Sequence, residues 1–270
     1  MRLFDAHAHY DDKRFETEYE GGYVKALRDA KDAGVGVVIN AGADIPSSKK
    51  SLEIASLSHD DATLPRVFAC VGIHPTEVLK YPNLDGAMRE IEQMASDPRT
   101  VAIGEVGLDY HYPDTERELQ AEFFRCQLEL AKKLSLPVVV HSRDATEDTL
   151  EILGAYAGER ILLHCFSGSA ETAQEYVKLG FYFSFGGVLT FKNAKKARAA
   201  LSVIPNDRLM LETDCPYMAP APHRGEINSS RYLPFVAEAM GEALGVTADE
   251  AAAVTYDNGL TFYNLRSIIR

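Results

Sequence analysis

The chain has 270 residues, 46% of them hydrophobic and 25% charged, which excludes a disordered chain, a collagen-like repeat and a disulfide-stapled mini-protein. Its 28 basic and 40 acidic side chains leave a formal charge of −12, which argues against a polybasic surface for gripping nucleic acid or anionic lipid. That balance still admits phosphate chemistry in which bound metal supplies the positive field.

In chain order, short apolar runs alternate with longer helical patterns. The start, Met1-Arg2-Leu3-Phe4-Asp5, lacks the apolar core of a signal peptide. The first strand is predicted from Leu3 to His7, and the helical stretch after it closes at Gly34, where a C-cap belongs. The second strand runs from Gly36 to Asn40. A polar helical stretch, Ser47 to Asp60, follows and leaves His59 as a solvated residue. The third strand covers Arg66 to Ile73 and the fourth Val101 to Glu105. A turn-like Gly107-Leu108-Asp109-Tyr110 comes next, with His111 beside it. Thr115-Glu116-Arg117-Glu118 reads as a capping box, followed by Leu119, Phe123, Leu128 and Ala131 at helical spacing. Strands are then predicted at Pro137 to His141, Ile161 to His164, Phe181 to Phe185 and Arg208 to Asp214, with Gly180 as another C-cap. A second capping box, Thr247-Ala248-Asp249-Glu250, opens the last helix.

These eight strands read as near-continuous apolar runs, as strands buried on both faces do. Their alternation with helices predicts an α/β fold, a (β/α)8 TIM barrel, in one domain over 1–270. The rival is an open doubly wound sheet, but no Gly-x-Gly-x-x-Gly fingerprint follows the first strand. No apolar run is long enough to span a bilayer. The four cysteines, Cys70, Cys126, Cys165 and Cys215, form no CxxC pair and read as free thiols of a cytoplasmic protein. Cys165 and Cys215 each follow a candidate ligand, so strand alternation makes them packing residues.

Five of the eight histidines fall at or just past a predicted strand's C-terminal end: His7, His9, His74, His141 and His164. Glu105, Glu212 and Asp214 do the same. In a barrel these ends converge on one rim, where barrel active sites sit. His7-Ala8-His9 places two imidazoles on one side of an extended segment, and Glu212-Thr213-Asp214 repeats that spacing with carboxylates. Imidazoles plus carboxylates, without thiolates, suit Zn, Mn, Fe or Ni. Six ligands exceed the need of one ion and suffice for two with a bridging carboxylate, the usual device for phosphoester hydrolysis.

The sequence resembles the TatD family of metal-dependent deoxyribonucleases, within the amidohydrolase-type barrel group. The resemblance rests on Phe4-Asp5-Ala6-His7-Ala8-His9, Val71-Gly72-Ile73-His74-Pro75, the stretch from Ala102 to Tyr110, and Val140-His141-Ser142-Arg143. It continues through Leu163-His164-Cys165-Phe166-Ser167-Gly168-Ser169, Gly180 to Thr190, Leu211 to Tyr217 and Pro222-His223-Arg224-Gly225, so it covers nearly the whole chain. It implies that His7, His9, Glu105 and Asp214 hold one ion, and that Glu105 bridges to a second ion held with His141 and His164. It also places His74 and Glu212 in the active site. The bridge is Glu105, as in the family, where many barrel hydrolases of this group use a carboxylated lysine. Thr76 is a departure, because the family often has a second histidine there.

The resulting expectation is a 3′ to 5′ deoxyribonuclease with two divalent ions, Mg, Mn or Zn, acting on strand ends of DNA. Asp214 or Glu212 would orient the attacking water or take its proton, and His74 would contact phosphate. Arg224 is either a phosphate ligand or an arginine bonded within its own loop. The Ser167-Gly168-Ser169 turn offers backbone N–H groups to phosphate, with Ser169 as a substrate contact or as a plain helix N-cap. Two alternatives stay open: a same-barrel hydrolase of another ester or amide, such as a misacylated tRNA or a cyclic amide, and a metal-binding barrel that only scaffolds a partner.

Overall fold

A computed structural model describes residues 1–113 and 116–269. Eight parallel strands, β1 (Leu3–Ala8), β2 (Val35–Ala41), β3 (Arg66–Val71), β4 (Thr100–Asp109), β5 (Val138–Arg143), β6 (Ile161–Leu163), β7 (Tyr182–Phe185) and β8 (Leu209–Leu211), pair in sequential order in one sheet. The sheet nearly closes on itself: Ala8 bridges Cys215, His9 N–H donates to the Cys215 carbonyl at 2.7 Å, and Asp214 N–H donates to the His7 carbonyl at 3.0 Å. This is the (β/α)8 barrel, and the open doubly wound alternative falls.

The helices are α1 (Arg14–Thr17), α2 (Gly22–Asp32), α3 (Ile45–Asp60), α4 (Leu84–Ala95), α5 (Arg117–Leu134), α6 (Thr146–Gly154), α7 (Ala170–Lys178), α8 (Lys195–Leu201), α9 (Leu233–Leu244) and α10 (Ala248–Phe262). No described helix is long and apolar enough to cross a membrane. Thr247 caps α10 with Glu250 closing the box, as its sequence reads. Gly34 and Gly180 follow α2 and α7 at φ +95° and +86°, the left-handed conformation a C-terminal glycine supplies. The Thr115 capping box lies outside the described residues. On α5, Phe123, Leu128 and Ala131 are buried as their spacing predicts, and so are Gln120 and Gln127.

Two apolar clusters form the core. The larger packs the outer sheet face against the helices. The smaller fills the barrel with Phe4, Ala6, Ile39, Phe68, Ala102, Val139, Leu162 and Met210, and α10 and the following turn add Tyr256, Leu260 and Tyr263. Tyr263 stacks on Phe4, and its hydroxyl donates to the Ala6 carbonyl at 2.9 Å.

Three expectations shift. β8 ends at Leu211, short of Asp214, while β4 runs on to Asp109, so Gly107–Asp109 is strand and not turn. The cause at Gly107 is proximity: a Cβ there would lie 1.9 Å from the His141 carbonyl oxygen, so only glycine lets β4 continue beside β5. His59 is half-buried rather than solvated. Its Nε2 donates to the Val67 carbonyl at 3.2 Å, and its ring meets Phe68 edge-on.

Candidate metal centre

The first strand would not bring His7 to the barrel mouth if it alternated strictly. Phe4 and Ala6 belong to the inner cluster, so His7 would face outward. The β1–β2 register shifts between Asp5 and Ala8, which sends Ala8 to the outer cluster and leaves His7 and His9 at the mouth. β4 makes the same exchange. Ala102 faces inward, the β4–β5 register shifts between Ile103 and Val106, Val106 faces outward, and Glu105 meets the histidines. The remaining strands reach the mouth by plain alternation, Val139 to His141, Leu162 to His164 and Met210 to Glu212.

Glu105 lies at the centre and is 4% exposed. Its Oε2 sits 3.3 Å from His7 Nε2 and 3.5 Å from His9 Nε2. Asp214 Oδ1 closes that group, 3.3 Å from His9 Nε2 and 3.8 Å from His7 Nε2. Oε1 of the same Glu105 lies 2.8 Å from both His141 Nδ1 and His164 Nε2, with His74 Nε2 at 3.5 Å. Within each of the sets His7–His9–Glu105 and Glu105–His141–His164, the ligand atoms lie within 4.8 Å of one another.

Partners behind the rings fix their orientation. His9 Nδ1 donates to the Ala41 carbonyl at 2.8 Å, which turns Nε2 inward. His141 Nε2 donates to Asp109 Oδ2 at 3.0 Å, which turns Nδ1 toward Glu105. Glu212 is fully buried behind His164, with Oε1 3.8 Å from Nδ1 and Oε2 accepting from Ser184. Asp214 has φ +54° and is held from below. Neighbouring Thr213 bonds Asp5 through both N–H and Oγ, Ser230 bonds the same carboxylate, and Asn228 donates to the Thr213 carbonyl. Burial pushes the Asp5 carboxyl up to about 7, against these hydrogen bonds.

Burial opposes charge on Glu105, yet His164, His74, His7 and His141 together hold it well below the usual carboxylate range. Asp214 is likewise held down, against its burial, by His9. Both are therefore ionised carboxylates at neutral pH. Burial pushes the Cys70, Cys165 and Cys215 thiols up, so none competes as a thiolate. Among the described residues, His7 Nδ1, His164 Nδ1 and Glu212 Oε1 are buried without hydrogen-bond partners. Converging imidazole nitrogens and carboxylate oxygens fit a divalent cation of hard or borderline character.

The structure thus gathers His7, His9, His74, Glu105, His141, His164 and Asp214, and sets Glu212 behind them. Arg224 stands apart: it is exposed, with its guanidinium 4.4 Å from the Phe191 ring centroid. The Ser169 hydroxyl accepts from Thr172 N–H at 3.2 Å as the α7 cap. His111 is exposed and bonded to Asp144 at 3.0 Å. Cys215 is fully buried, but Cys165, at φ +44°, lines a cavity because β6 has already ended at Leu163. Sequence reading missed Asp109, hidden in the stretch from Gly107 to Tyr110 that read as a turn.

A family profile described as TatD related DNase matches residues 4–264. The chain belongs to the TatD family. It is 38% identical over 265 residues to YabD of Bacillus subtilis (strain 168), with 97% of this chain and 99% of YabD covered. It is 35% identical to YcfH of Escherichia coli (strain K12), with 98% and 97% covered. Both relatives are described as uncharacterized metal-dependent hydrolases. Among solved structures, the TatD homologue YjjV from Escherichia coli K12 superposes with a TM-score of 0.86 at 29% identity, covering 97% of this chain and 98% of YjjV. With this ancestry and this ligand cluster, the TatD-family chain is a metal-dependent hydrolase.

Proposed function

We propose that this hydrolase is a two-metal phosphodiesterase that removes nucleotides from the 3′ end of a DNA strand. The observation that carries the reading is Glu105, whose two oxygens face two separate groups of imidazoles. His7, His9, Asp214 and Glu105 would hold one cation, and Glu105, His141 and His164 would hold the other. Mg, Mn or Zn in these places would supply positive charge for a phosphate and would acidify a water.

The chain's own groups do the rest. Asp214, 8% exposed at the mouth, accepts the proton of the attacking water. Glu212, locked on Ser184, keeps a carboxylate 3.8 Å behind His164 Nδ1 and out of reach of the substrate. His74 sits at the edge of the cluster and contacts a phosphate oxygen. Arg224 reaches the substrate from its loop by leaving Phe191. Ser169 contributes through the turn it caps, because its hydroxyl is committed to α7. The charge of −12 supports a mouth that admits a strand end over a groove that grips duplex.

The test uses metal-stripped protein with 3′-labelled and 5′-labelled single-stranded oligodeoxynucleotides, and adds back Mg, Mn or Zn. A metal-dependent ladder from the 3′ end is expected. Glu105→Ala and Asp214→Ala should each lower it on the order of a thousandfold. A protein that binds metal and leaves the oligonucleotide intact acts on another ester or an amide.

A further inference from the structure

Beside His164 the barrel mouth opens into a mainly polar cavity of about 120 Å³, enough for several waters or one tetrahedral anion. It is bounded by the β5–α6 and β6–α7 connections, by the inner side of α7 and by Lys196 of α8. Three features give it a chemical preference. Tyr176 lines it and is 2% exposed, and its hydroxyl has no hydrogen-bond partner among the described residues. A buried hydroxyl left unpaired is costly, so an acceptor placed within its reach is favoured. Burial pushes the phenol up, which keeps it a donor at neutral pH. Lys196 lines the same cavity from its exposed side, and its ammonium forms no ion pair or hydrogen bond among the described residues. Ser167 and Gly168, also in the lining, lead into the first turn of α7, whose positive end favours an anion.

One carboxylate, Asp144, is also in the lining, but its Oδ2 is occupied by His111 Nδ1 at 3.0 Å. A free phenolic donor, an unpaired ammonium and a helix N-terminus all call for an acceptor with several oxygens. We propose that this cavity is a phosphate subsite, which seats the phosphate neighbouring the scissile one while the Glu105 cluster holds the scissile group. The assignment rests on the phosphodiesterase reading and deepens it. Such a subsite places two consecutive phosphates at once, so it selects a nucleotide chain over an isolated phosphoester.

The test is binding without turnover, on the metal-loaded protein, by calorimetry. Thymidine 3′,5′-bisphosphate, thymidine 5′-monophosphate and inorganic phosphate are compared. The bisphosphate should bind about tenfold more tightly than the monophosphate, the value of one additional charge-assisted anion contact. That preference should fall to about twofold in Tyr176→Phe, which keeps the ring, and in Lys196→Ala, which changes an exposed residue. Equal affinity for the two nucleotides, or a preference untouched by both variants, overturns the subsite even where oligonucleotides are cleaved. Tight inorganic phosphate without any bisphosphate preference marks a free-anion site and overturns it too. A bisphosphate preference that both variants abolish, in a protein that leaves oligonucleotides intact, upholds the subsite and sinks the nuclease reading instead.

Discussion

Asp109 orients the His141 ring through a single carboxylate. It is 2% exposed, accepts from the His141 ring at 3.0 Å and from His111 N–H at 3.0 Å, and touches no other candidate ligand as closely. Burial alone would raise its carboxyl, and the His141 bond brings it below its ordinary value, so it remains an ionised acceptor. A carboxylate behind a ligating imidazole fixes ring and tautomer and strengthens the ligand. Asp109→Asn keeps the shape and loses that charge. Metal affinity should fall about 10–100-fold in a chelator competition titration. Unchanged affinity would make Asp109 a packing residue.

Among the elements, α5 does more than cover the sheet. Gln120 and Gln127 lie two turns apart on its inner face. Gln120 accepts from Asp109 N–H at 2.9 Å and donates to the Asp109 carbonyl at 3.1 Å. Gln127 clamps Ile73 in the same way, at 2.8 Å and 3.0 Å. One helix thereby holds the backbone at the end of β4 and the backbone leading to His74. Gln127→Leu should cost about 2–4 kcal/mol, because it strands a buried N–H and a buried C=O together. The measurement is the urea midpoint at unchanged m-value. A loss below about 0.5 kcal/mol would mean that water replaces the amide.

For the whole molecule, the centre concentrates charged groups where the eight strands converge, and the barrel tolerates them because a cation can join them. Saturating Mn or Zn should therefore raise the unfolding temperature. A concentration of 100 times Kd adds about 2.7 kcal/mol, or about 5 °C for a chain of this length. Scanning calorimetry of chelator-treated protein, with and without added metal, reads this directly, and Glu105→Ala should abolish the rise. A wild-type transition indifferent to metal would identify the cluster as a self-sufficient hydrogen-bond network.

Amino-acid order alone carried the eight strands, the caps at Gly34, Gly180 and Thr247, and the membership of the cluster. Continuous apolar runs, capping chemistry and ligand type are properties of short segments, so they are legible without neighbours. Tertiary structure decided which way His7 and Glu105 face, since each depends on a register shift against the next strand. It also decided that Gly107–Asp109 continues β4, because the partner that demands glycine there is the carbonyl of His141, 34 positions along the chain. Asp109, Gln120 and Gln127 were illegible for the same reason: a buried polar side chain declares its role only when its partner, distant in sequence, is in place.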